Sequence, residues 1–315
     1  MQIGIDLGGT NIAAAVVDEA GTIIKRAGKP TAADRGAETV IERLLSVCES
    51  LTEGGAALQS IGIGVPGSVN DETGEVVFTP NLPLSGVNIA KELRKKFSCP
   101  VHLGNDANCA ALGETVAGGA KGARDVVFIT LGTGVGGGII LGGRLYTGIN
   151  GAAGELGHMS IIAGGRECGC GRKGCWERYA SASGFIRTAN EFMNNYSDSL
   201  LWQLCGGTEE QLDGRLIFEA FRAGDHAARL TVELYVEHLA AGIVNIINML
   251  EPEMFCIGGG ISNEWDCFEK PLIAAVDAEK FTRFSKHSQQ TRIVRAELGN
   301  DAGIIGAAML GRDAP

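Results

Sequence analysis

Three cysteines and one histidine lie close together in the sequence, at His158, Cys168, Cys170 and Cys175. Thiolates and imidazole are the usual protein ligands of Zn²⁺, and four of them complete a tetrahedral shell. Glycines beside the cysteines let the backbone turn tightly enough to bring the four side chains together. The spacing therefore predicts a structural Cys3His zinc site, because a closed shell leaves no position for an activated water. Two alternatives are a metal site that stabilises the fold and has no part in a pocket, and a redox pair formed by Cys168 and Cys170.

Two carboxylates flank this cluster. Glu155 precedes His158 by three residues, and Glu177 follows Cys175 by two. On a helical turn, Glu155 and His158 would share one face. Zinc on one ring nitrogen of His158 would leave the other nitrogen facing a ligand. Acids held in place by a metal indicate a pocket for a polar substrate.

Three apolar segments are predicted to be strands that end in glycine turns. The turns are Gly8-Gly9-Thr10-Asn11, Gly132-Thr133-Gly134 and Gly258-Gly259-Gly260. Free N–H groups in the first two, with the hydroxyls of Thr10 and Thr133, can bind phosphate oxygens. The pattern is neither a Walker motif nor a Rossmann fingerprint. Each turn alone is more typical of a tight hairpin, but together the three favour a nucleotide site.

Two aspartates stand at predicted strand ends. Asp6, beside the first turn, can orient Mg²⁺ through water, or it can cap the turn. Asp106 follows Asn105 between a strand and a helix. It is either the N-cap of that helix or, in a phosphoryl transfer, the base that accepts the proton of an attacking hydroxyl. The residues alone leave both alternatives open.

The elements that must position these residues alternate between strands and helices. Strands are predicted at 2–6, 12–17, 22–25, 61–65, 101–103, 126–129, 138–141 and 254–257, and helices at 37–51, 87–97, 230–250 and 302–310. Asp6-Leu7-Gly8 aligns with Thr130-Leu131-Gly132, which indicates an internal duplication. The alternation predicts an α/β class, in which ligands bind beyond the carboxyl ends of the strands.

Composition limits the classes of function. The 315 residues are 45% apolar and carry a net charge of -10, which fits two lobes and argues against nucleic-acid binding. The apolar stretch 230–250 contains enough polar residues to favour a buried helix over a membrane span. No basic and apolar leader precedes Gln2, and nine cysteines are an odd number. We therefore expect a cytoplasmic protein without nucleic-acid or membrane partners.

The motifs together resemble one known family. Asp6-Leu7-Gly8-Gly9-Thr10, Glu155-Leu156-Gly157-His158 and the segment from Cys168 to Glu177 are similar to motifs of the ROK family of bacterial sugar kinases and repressors. The cysteine motif is the specific one, since the first motif also occurs in other actin-like ATPases. The segment Arg178–Gly184 is similar to the ATP-dependent glucokinase branch of the family.

The resemblance implies a two-lobed, actin-like (ribonuclease H-like) ATPase fold with duplicated mixed-sheet domains and a structural zinc site. The small lobe would span 1–117 with a C-terminal helix at 301–315, and the large lobe, with the zinc motif, 118–300. ATP and sugar would meet between the lobes, and the enzyme would phosphorylate glucose at O6. A homodimer or homotetramer is also implied.

The family's residue roles carry over to matching positions. Asp106 would be the catalytic base, and the other sugar ligands would be Gly67, Asn81, Asn105, Glu155, His158 and Glu177. The ATP site would comprise Asp6, Gly8, Gly9, Thr10, Asn11, Gly132, Thr133, Gly134, Gly258, Gly259 and Gly260. Mg²⁺ would accompany ATP, and Zn²⁺ would bind His158, Cys168, Cys170 and Cys175.

Several alternatives stay open. The sugar could be mannose, fructose, N-acetylglucosamine or N-acetylmannosamine, and polyphosphate could replace ATP, although no basic groove is evident. A sugar-responsive repressor is disfavoured, because a helix-turn-helix has no place ahead of the first strand. An actin-like ATPase or scaffold is disfavoured because it would not need a zinc cluster flanked by acids.

Overall fold

The computed structural model describes residues 1–52, 58–285 and 289–311, in which strands and helices alternate. The strands are β1 (Gln2–Leu7), β2 (Asn11–Val17), β3 (Ile23–Pro30), β4 (Ser60–Val65), β5 (Ser68–Asn70), β6 (Glu75–Phe78), β7 (Val87–Asn88), β8 (Val101–Asn105), β9 (Val126–Leu131), β10 (Val135–Leu141), β11 (Arg144–Leu145), β12 (Met254–Gly258) and β13 (Arg292–Arg295). The helices are α1 (Ala37–Thr52), α2 (Ile89–Arg94), α3 (Asp106–Ala117), α4 (Glu177–Ala180), α5 (Ala182–Met193), α6 (Leu200–Leu204), α7 (Gly214–Arg222), α8 (His226–Leu250), α9 (Trp265–Glu279) and α10 (Asp301–Ala308).

Two mixed sheets repeat one strand order. The first runs β3-β2-β1-β4-β8, with the β1–β2 and β2–β3 pairs antiparallel and the β1–β4 and β4–β8 pairs parallel. The second runs β11-β10-β9-β12-β13, with β10–β11 antiparallel and β12–β13 parallel. β9 thus takes the place of β1, as the predicted duplication requires. A third sheet, β5-β6-β7, is antiparallel.

The chain divides into two compact units. The first comprises the described residues of Met1–Phe128, Gly137–Gly154 and Ala296–Pro315, and the second comprises Ile129–Gly136 and Glu155–Arg295. Residues 118–128, 137–154 and 296–300 were predicted to belong to the large lobe, but they lie in the first unit. The strands β9 and β10 each contribute residues to both units. The predicted helix over 301–315 is α10, and residues 312–315 lie outside the described residues. The predicted boundary between two functional lobes, at residues 117 and 118, stays a prediction.

The helix α10 packs against the first sheet with backbone close to backbone. A Cβ added at Gly4 on β1 would lie 1.9 Å from the carbonyl oxygen of Ile304, and one at Gly62 on β4 would lie 1.7 Å from that of Ala307. The α3–α10 contact is equally close, since a Cβ at Gly306 would lie 1.6 Å from the carbonyl oxygen of Cys109. Glycine is therefore required where this helix meets the sheet and α3.

The prediction of one helix over 87–97 is wrong. Val87–Asn88 forms β7 instead, and α2 ends at Arg94. The side chain of Asn88 accepts the N–H of Lys91 at 2.8 Å and so caps the shorter helix. Asparagine prefers the cap over the helix interior, because its side chain satisfies a backbone donor there.

The helix predicted over 230–250 is confirmed as part of α8. By length and composition alone, α8 could cross a membrane, and it is the one such helix among the described residues. In the structure, 61% of its most apolar window is buried inside the protein. Its apolar character therefore serves packing within the second unit.

Candidate functional site: a metal-binding loop and glycine turns

The predicted metal ligands converge in the second unit. The ligand atoms of His158, Cys168, Cys170 and Cys175 all lie within 4.8 Å of one another. Cys168 Sγ is 3.6 Å from His158 Nδ1, and Cys170 Sγ is 3.6 Å from Cys175 Sγ. Ligand atoms around a tetrahedral Zn²⁺ are about 3.5–3.8 Å apart, given the usual bond lengths. The four residues thus fit zinc in both donor type and spacing.

Tight turns bring the cysteines together. The N–H of Gly171 donates to the carbonyl of Cys168 at 3.0 Å, and the N–H of Cys168 donates to the carbonyl of Arg172 at 2.9 Å. Gly171 and Gly174 have φ of +88° and +80°, which other residues adopt only with strain. A Cβ at Gly174 would also lie 1.7 Å from the carbonyl oxygen of Ile162. The glycines between the cysteines are therefore a geometric requirement of the cluster.

Trp176 anchors this loop to α8. Its indole Nε1 donates to the carbonyl of His238 at 2.9 Å, and the side chain is fully buried. The ring lies directly on Gly242, where a Cβ would be 2.1 Å from an indole carbon. Because Trp176 stands between Cys175 and Glu177, its burial fixes a ligand and a carboxylate at the same time.

The two flanking carboxylates occupy different environments. Glu155 Oε2 lies 4.0 Å from His158 Nε2, on the side of the ring away from the cysteines, and its side chain is 68% exposed. Glu177 Oε1 lies 3.0 Å from Cys168 Sγ and 3.7 Å from His158 Nδ1, and its side chain is 21% exposed. Glu155 is open to a ligand, whereas Glu177 lies against Cys168 and His158.

The acidity of the thiols also differs across the cluster. Burial raises the pKa of Cys168 to about 12. The pKa of the exposed Cys170 is instead lowered, chiefly by a hydrogen bond from the backbone N–H of Arg172. A bound cation would deprotonate both, since a thiol that coordinates Zn²⁺ is a thiolate.

Each of the two predicted phosphate turns is closed by a hydrogen bond from its first glycine. In the first, the N–H of Gly8 donates to the carbonyl of Asn11 at 3.0 Å, and in the second, the N–H of Gly132 donates to the carbonyl of Gly134 at 3.1 Å. The expectation of free N–H groups is therefore wrong for Gly8 and Gly132. The amides of Gly9 and Thr10 have no partner among the described residues, and both residues are exposed.

The second turn contacts three other residues of its unit. The N–H of Ala182 donates to the carbonyl of Gly132 at 2.8 Å, and Ser183 Oγ donates to the carbonyl of Thr133 at 3.1 Å. A Cβ at Gly134 would lie 2.8 Å from Glu177 Oε2. Glu177 therefore lies between the cysteine cluster and this turn. Sequence reasoning missed the two contacts at the start of α5, although the serine cap at Ser181 marks that start.

The third glycine junction lies beside the second turn. Gly259 has φ of +88°, and a Cβ there would lie 2.4 Å from the backbone nitrogen of Leu131, the residue before Gly132. Gly258 ends β12, and Gly260 begins a short 3-10 helix, Gly260–Glu264. The structure thus brings the second and third predicted nucleotide segments together.

The two aspartates of the first unit interact through their charges. Burial raises the pKa of Asp6 to about 6, and the charge of Asp106 adds to the rise. Asp6 sits at the end of β1, in contact with Gly303 of α10. Asp106 is the exposed first residue of α3. A pair of carboxylates next to a glycine turn is suited to a cation and to proton transfer.

The predicted sugar ligands of this unit form a chain of contacts. Asn105 Nδ2 donates to the carbonyl of Gly67 at 3.0 Å. Gly67 has φ of +118°, and a Cβ there would lie 2.1 Å from the carbonyl oxygen of Phe78. Asn81 is exposed and lies against Gly9, where a Cβ would be 3.6 Å from that of Asn81. The predicted sugar and phosphate residues of the first unit are thus neighbours.

Comparison with known proteins agrees with these observations. The model of the ROK family matches residues 2–314. The chain belongs to the ROK family. Its α/β architecture with mixed sheets is that of ROK kinases and is consistent with an actin-like ATPase fold.

Individual members of the family match along nearly their whole length. A glucokinase of Thermotoga maritima is 38% identical, over 98% of this chain and 96% of its own. An N-acetyl-D-glucosamine kinase of Shigella boydii is 32% identical, over 98% of this chain and 99% of its own. A crystal structure of a ROK family glucokinase from Streptomyces griseus, in complex with glucose and AMPPNP, has a TM-score of 0.77 and 35% identity, and the match covers 98% of each chain.

Proposed function

We propose that this ROK protein is a glucokinase, which transfers the γ-phosphoryl group of ATP to O6 of glucose. The comparisons support an ATP-dependent hexose kinase, since the relatives named above are sugar kinases and one was solved with an ATP analogue. The choice of glucose follows the higher identity to a glucokinase. Phosphorylation of an N-acetylhexosamine is the second candidate, because a kinase of N-acetyl-D-glucosamine is also above 30% identity.

The observation that carries the mechanism is the position of Asp106. Its carboxylate is exposed at the start of α3, while Asn105 provides the side-chain oxygen that caps the helix. We assign Asp106 as the base that accepts the proton of the O6 hydroxyl. O6 then forms a bond to the γ-phosphorus, the bond to the β–γ bridging oxygen breaks, and ADP leaves.

Sugar recognition is assigned to six residues. They are Asn81, Asn105, the backbone at Gly67, Glu155, His158 and Glu177. A sugar offers many hydroxyls and little apolar surface, so a site of fixed amides and carboxylates rejects molecules that leave these groups unpaired. The exposed side chain of Glu155 and His158 Nε2 form one such acceptor and donor pair.

The nucleotide is assigned to the glycine turns. The amides of Gly9 and Thr10 and the hydroxyls of Thr10 and Thr133 are suited to phosphate oxygens. The remaining predicted ATP residues, Asp6, Gly8, Asn11, Gly132, Gly134, Gly258, Gly259 and Gly260, shape these turns. Mg²⁺ held near Asp6 would neutralise phosphate charge. Zn²⁺ on the Cys3His set would fix the loop between Glu155 and Glu177.

A coupled ADP-release assay tests this proposal. MgATP is combined with glucose, mannose, fructose, N-acetylglucosamine and N-acetylmannosamine, and kcat/KM is compared. A clear preference for glucose, with glucose 6-phosphate identified by NMR, supports the glucokinase assignment. A preference for an acetylated sugar replaces the substrate and keeps the mechanism. No turnover by zinc-loaded protein with ATP or polyphosphate contradicts the proposal. The oligomeric state, proposed as a homodimer or homotetramer, is measured by light scattering.

A further inference from the structure

Asn108 carries a buried oxygen without a partner. It lies two residues after Asp106 on α3, and only 3% of it is exposed. Its backbone N–H is satisfied by Asn105 Oδ1 at 3.1 Å, but its own Oδ1 accepts no hydrogen bond among the described residues. A buried unpaired carbonyl oxygen destabilises the state that contains it. Such a group calls for a partner that it acquires in another state of the protein.

Glycines of the same unit lie beside Asn108. A Cβ added at Gly154 would lie 3.5 Å from Asn108 Oδ1 and 3.1 Å from the carbonyl oxygen of Gly137. A Cβ at Gly138 would lie 3.3 Å from the Cα of Asn108. With no side chains here, the backbone can approach the carboxamide of Asn108 closely.

Gly154 carries a backbone donor beside this oxygen. Its φ is +91°, and its N–H has no hydrogen-bond partner among the described residues. The next residue is Glu155, whose carboxylate lies near His158 Nε2. A hydrogen bond to the amide of Gly154 would therefore fix the point from which Glu155 and His158 extend.

We infer that Asn108 is a positioning residue for the sugar site. Its Oδ1 accepts the N–H of Gly154 when sugar is bound, and this bond sets the place of Glu155. The inference rests on the proposed function and deepens it. The helix α3, which carries the proposed base Asp106, would also position a sugar-binding residue through Asn108. Asn108 does not touch the sugar itself, and the energy gained by pairing its oxygen contributes to sugar affinity.

The variant Asn108→Leu tests this inference, because leucine has nearly the same size and no acceptor. The KM for sugar is expected to rise about tenfold, equivalent to about 1.4 kcal/mol of binding free energy. The KM for ATP is expected to stay within about twofold, and the melting temperature without sugar is expected not to fall, because an unpaired group has been removed. A lower melting temperature with an unchanged KM for sugar would mean that Asn108 has only a structural role.

A matched control exists in the second unit. Asn190 on α5 also has a buried Oδ1 without a hydrogen-bond partner among the described residues. Asn190→Leu is expected to leave the KM for both substrates unchanged. A rise in the sugar KM equal to that of Asn108→Leu would overturn a specific role for Asn108.

A double-mutant cycle with Gly154→Ala tests the pairing, because φ of +91° strains an alanine and so displaces the N–H that would donate to Asn108. Each single change is expected to raise the sugar KM, and the double variant is expected to show little more than the larger single effect.

Hydrogen exchange of the peptide that contains Gly154 is expected to slow with bound sugar in the wild type and not in Asn108→Leu. Additive effects, or equal protection in both proteins, overturn the inference. If these outcomes occur while the wild type phosphorylates sugar, the proposed function still holds. A wild type that binds no sugar would contradict both the inference and the proposed function.

Discussion

Asn105, rather than Asp106, provides the N-cap of α3. Its Oδ1 accepts the N–H of Ala107 at 2.9 Å and that of Asn108 at 3.1 Å. Asp106 Oδ1 shares the N–H of Ala107 at 2.9 Å, but the cap does not depend on it. An acidic group in the first turn is also stabilised in its charged form by the helix dipole. Asn105 thus carries the cap, which leaves the Asp106 carboxylate for the role of base that we propose.

The first prediction concerns the proposed base. Asp106→Asn is expected to lower kcat by about 10²–10⁴-fold, since a positioned base contributes about that much. The cap at Asn105 remains, so the melting temperature and sugar affinity should change little. Steady-state kinetics and sugar titration measure the two effects. A kcat within about threefold of wild type would exclude Asp106 as the base. The neighbouring variant Asn105→Ala serves as the contrast, because it should lower stability by about 1 kcal/mol through loss of the cap.

The second prediction concerns the metal ligands. Cys168→Ser is expected to reduce bound zinc from about one per chain to near zero and to lower the free energy of unfolding by roughly 3 kcal/mol or more, because metal binding at such sites is coupled to folding. Elemental analysis and denaturant unfolding provide the two measurements. Cys99→Ser is the control, since Cys99 lies outside the cluster. Loss of zinc with an unchanged unfolding curve would show that the metal does not stabilise the fold.

The third prediction concerns the contact between Trp176 and α8. Gly242→Ala should stabilise an isolated helix by about 1 kcal/mol. Here it is expected to lower stability by about 2 kcal/mol or more, because the added methyl would lie 2.1 Å from the indole of Trp176. Gly214→Ala on α7 is the matched control, since its nearest neighbour would be 4.0 Å away, and it should be neutral or stabilising. Equal melting temperatures for both variants would contradict the packing that we describe.

The fourth prediction concerns pH. Burial, with a contribution from the charge of Asp106, raises the pKa of Asp6 from 3.8 to about 6. The folded state therefore binds this proton more tightly than the unfolded state, and stability should fall as the pH rises from about 4 to 6, by at most about 3 kcal/mol. Asp6→Asn should remove this decline, be more stable than wild type at pH 7 without Mg²⁺, and lose turnover. Urea midpoints between pH 4 and 7.5 decide the matter, and parallel curves for both proteins would refute it.

The sequence was sufficient for features that depend on local pattern. Apolar runs that end at glycine predicted the strands that end near Gly8, Gly132 and Gly258. The apolar run indicates a buried strand, and the glycine indicates the tight turn that follows it. The convergence of His158, Cys168, Cys170 and Cys175 was predictable from their spacing. The strand order confirms the duplication first inferred from the Asp6 and Thr130 segments.

Features that depend on tertiary contact or on hydrogen-bond accounting were not predictable. The helix predicted over 87–97 failed because Val87 pairs with Val76 in a sheet that the local pattern does not reveal. The N–H of Gly8 donates to the carbonyl of Asn11, a hydrogen bond that the glycine content of the turn does not reveal. The contact between Trp176 and Gly242 joins residues 66 positions apart. The choice between Asn105 and Asp106 as cap required side-chain geometry.

The position of α10 has a consequence for how the protein is made. Its residues Ile304 and Ala307 complete the surface of β1 and β4, the strands made among the first 65 residues. During synthesis, the first sheet therefore leaves the ribosome long before the helix that covers it. Until residues 301–308 emerge, the face of β1 and β4 at Gly4 and Gly62 stays uncovered, a state in which a nascent chain aggregates or recruits a chaperone. We expect premature termination before residue 301 to yield insoluble chains, even though the metal-binding loop is already complete.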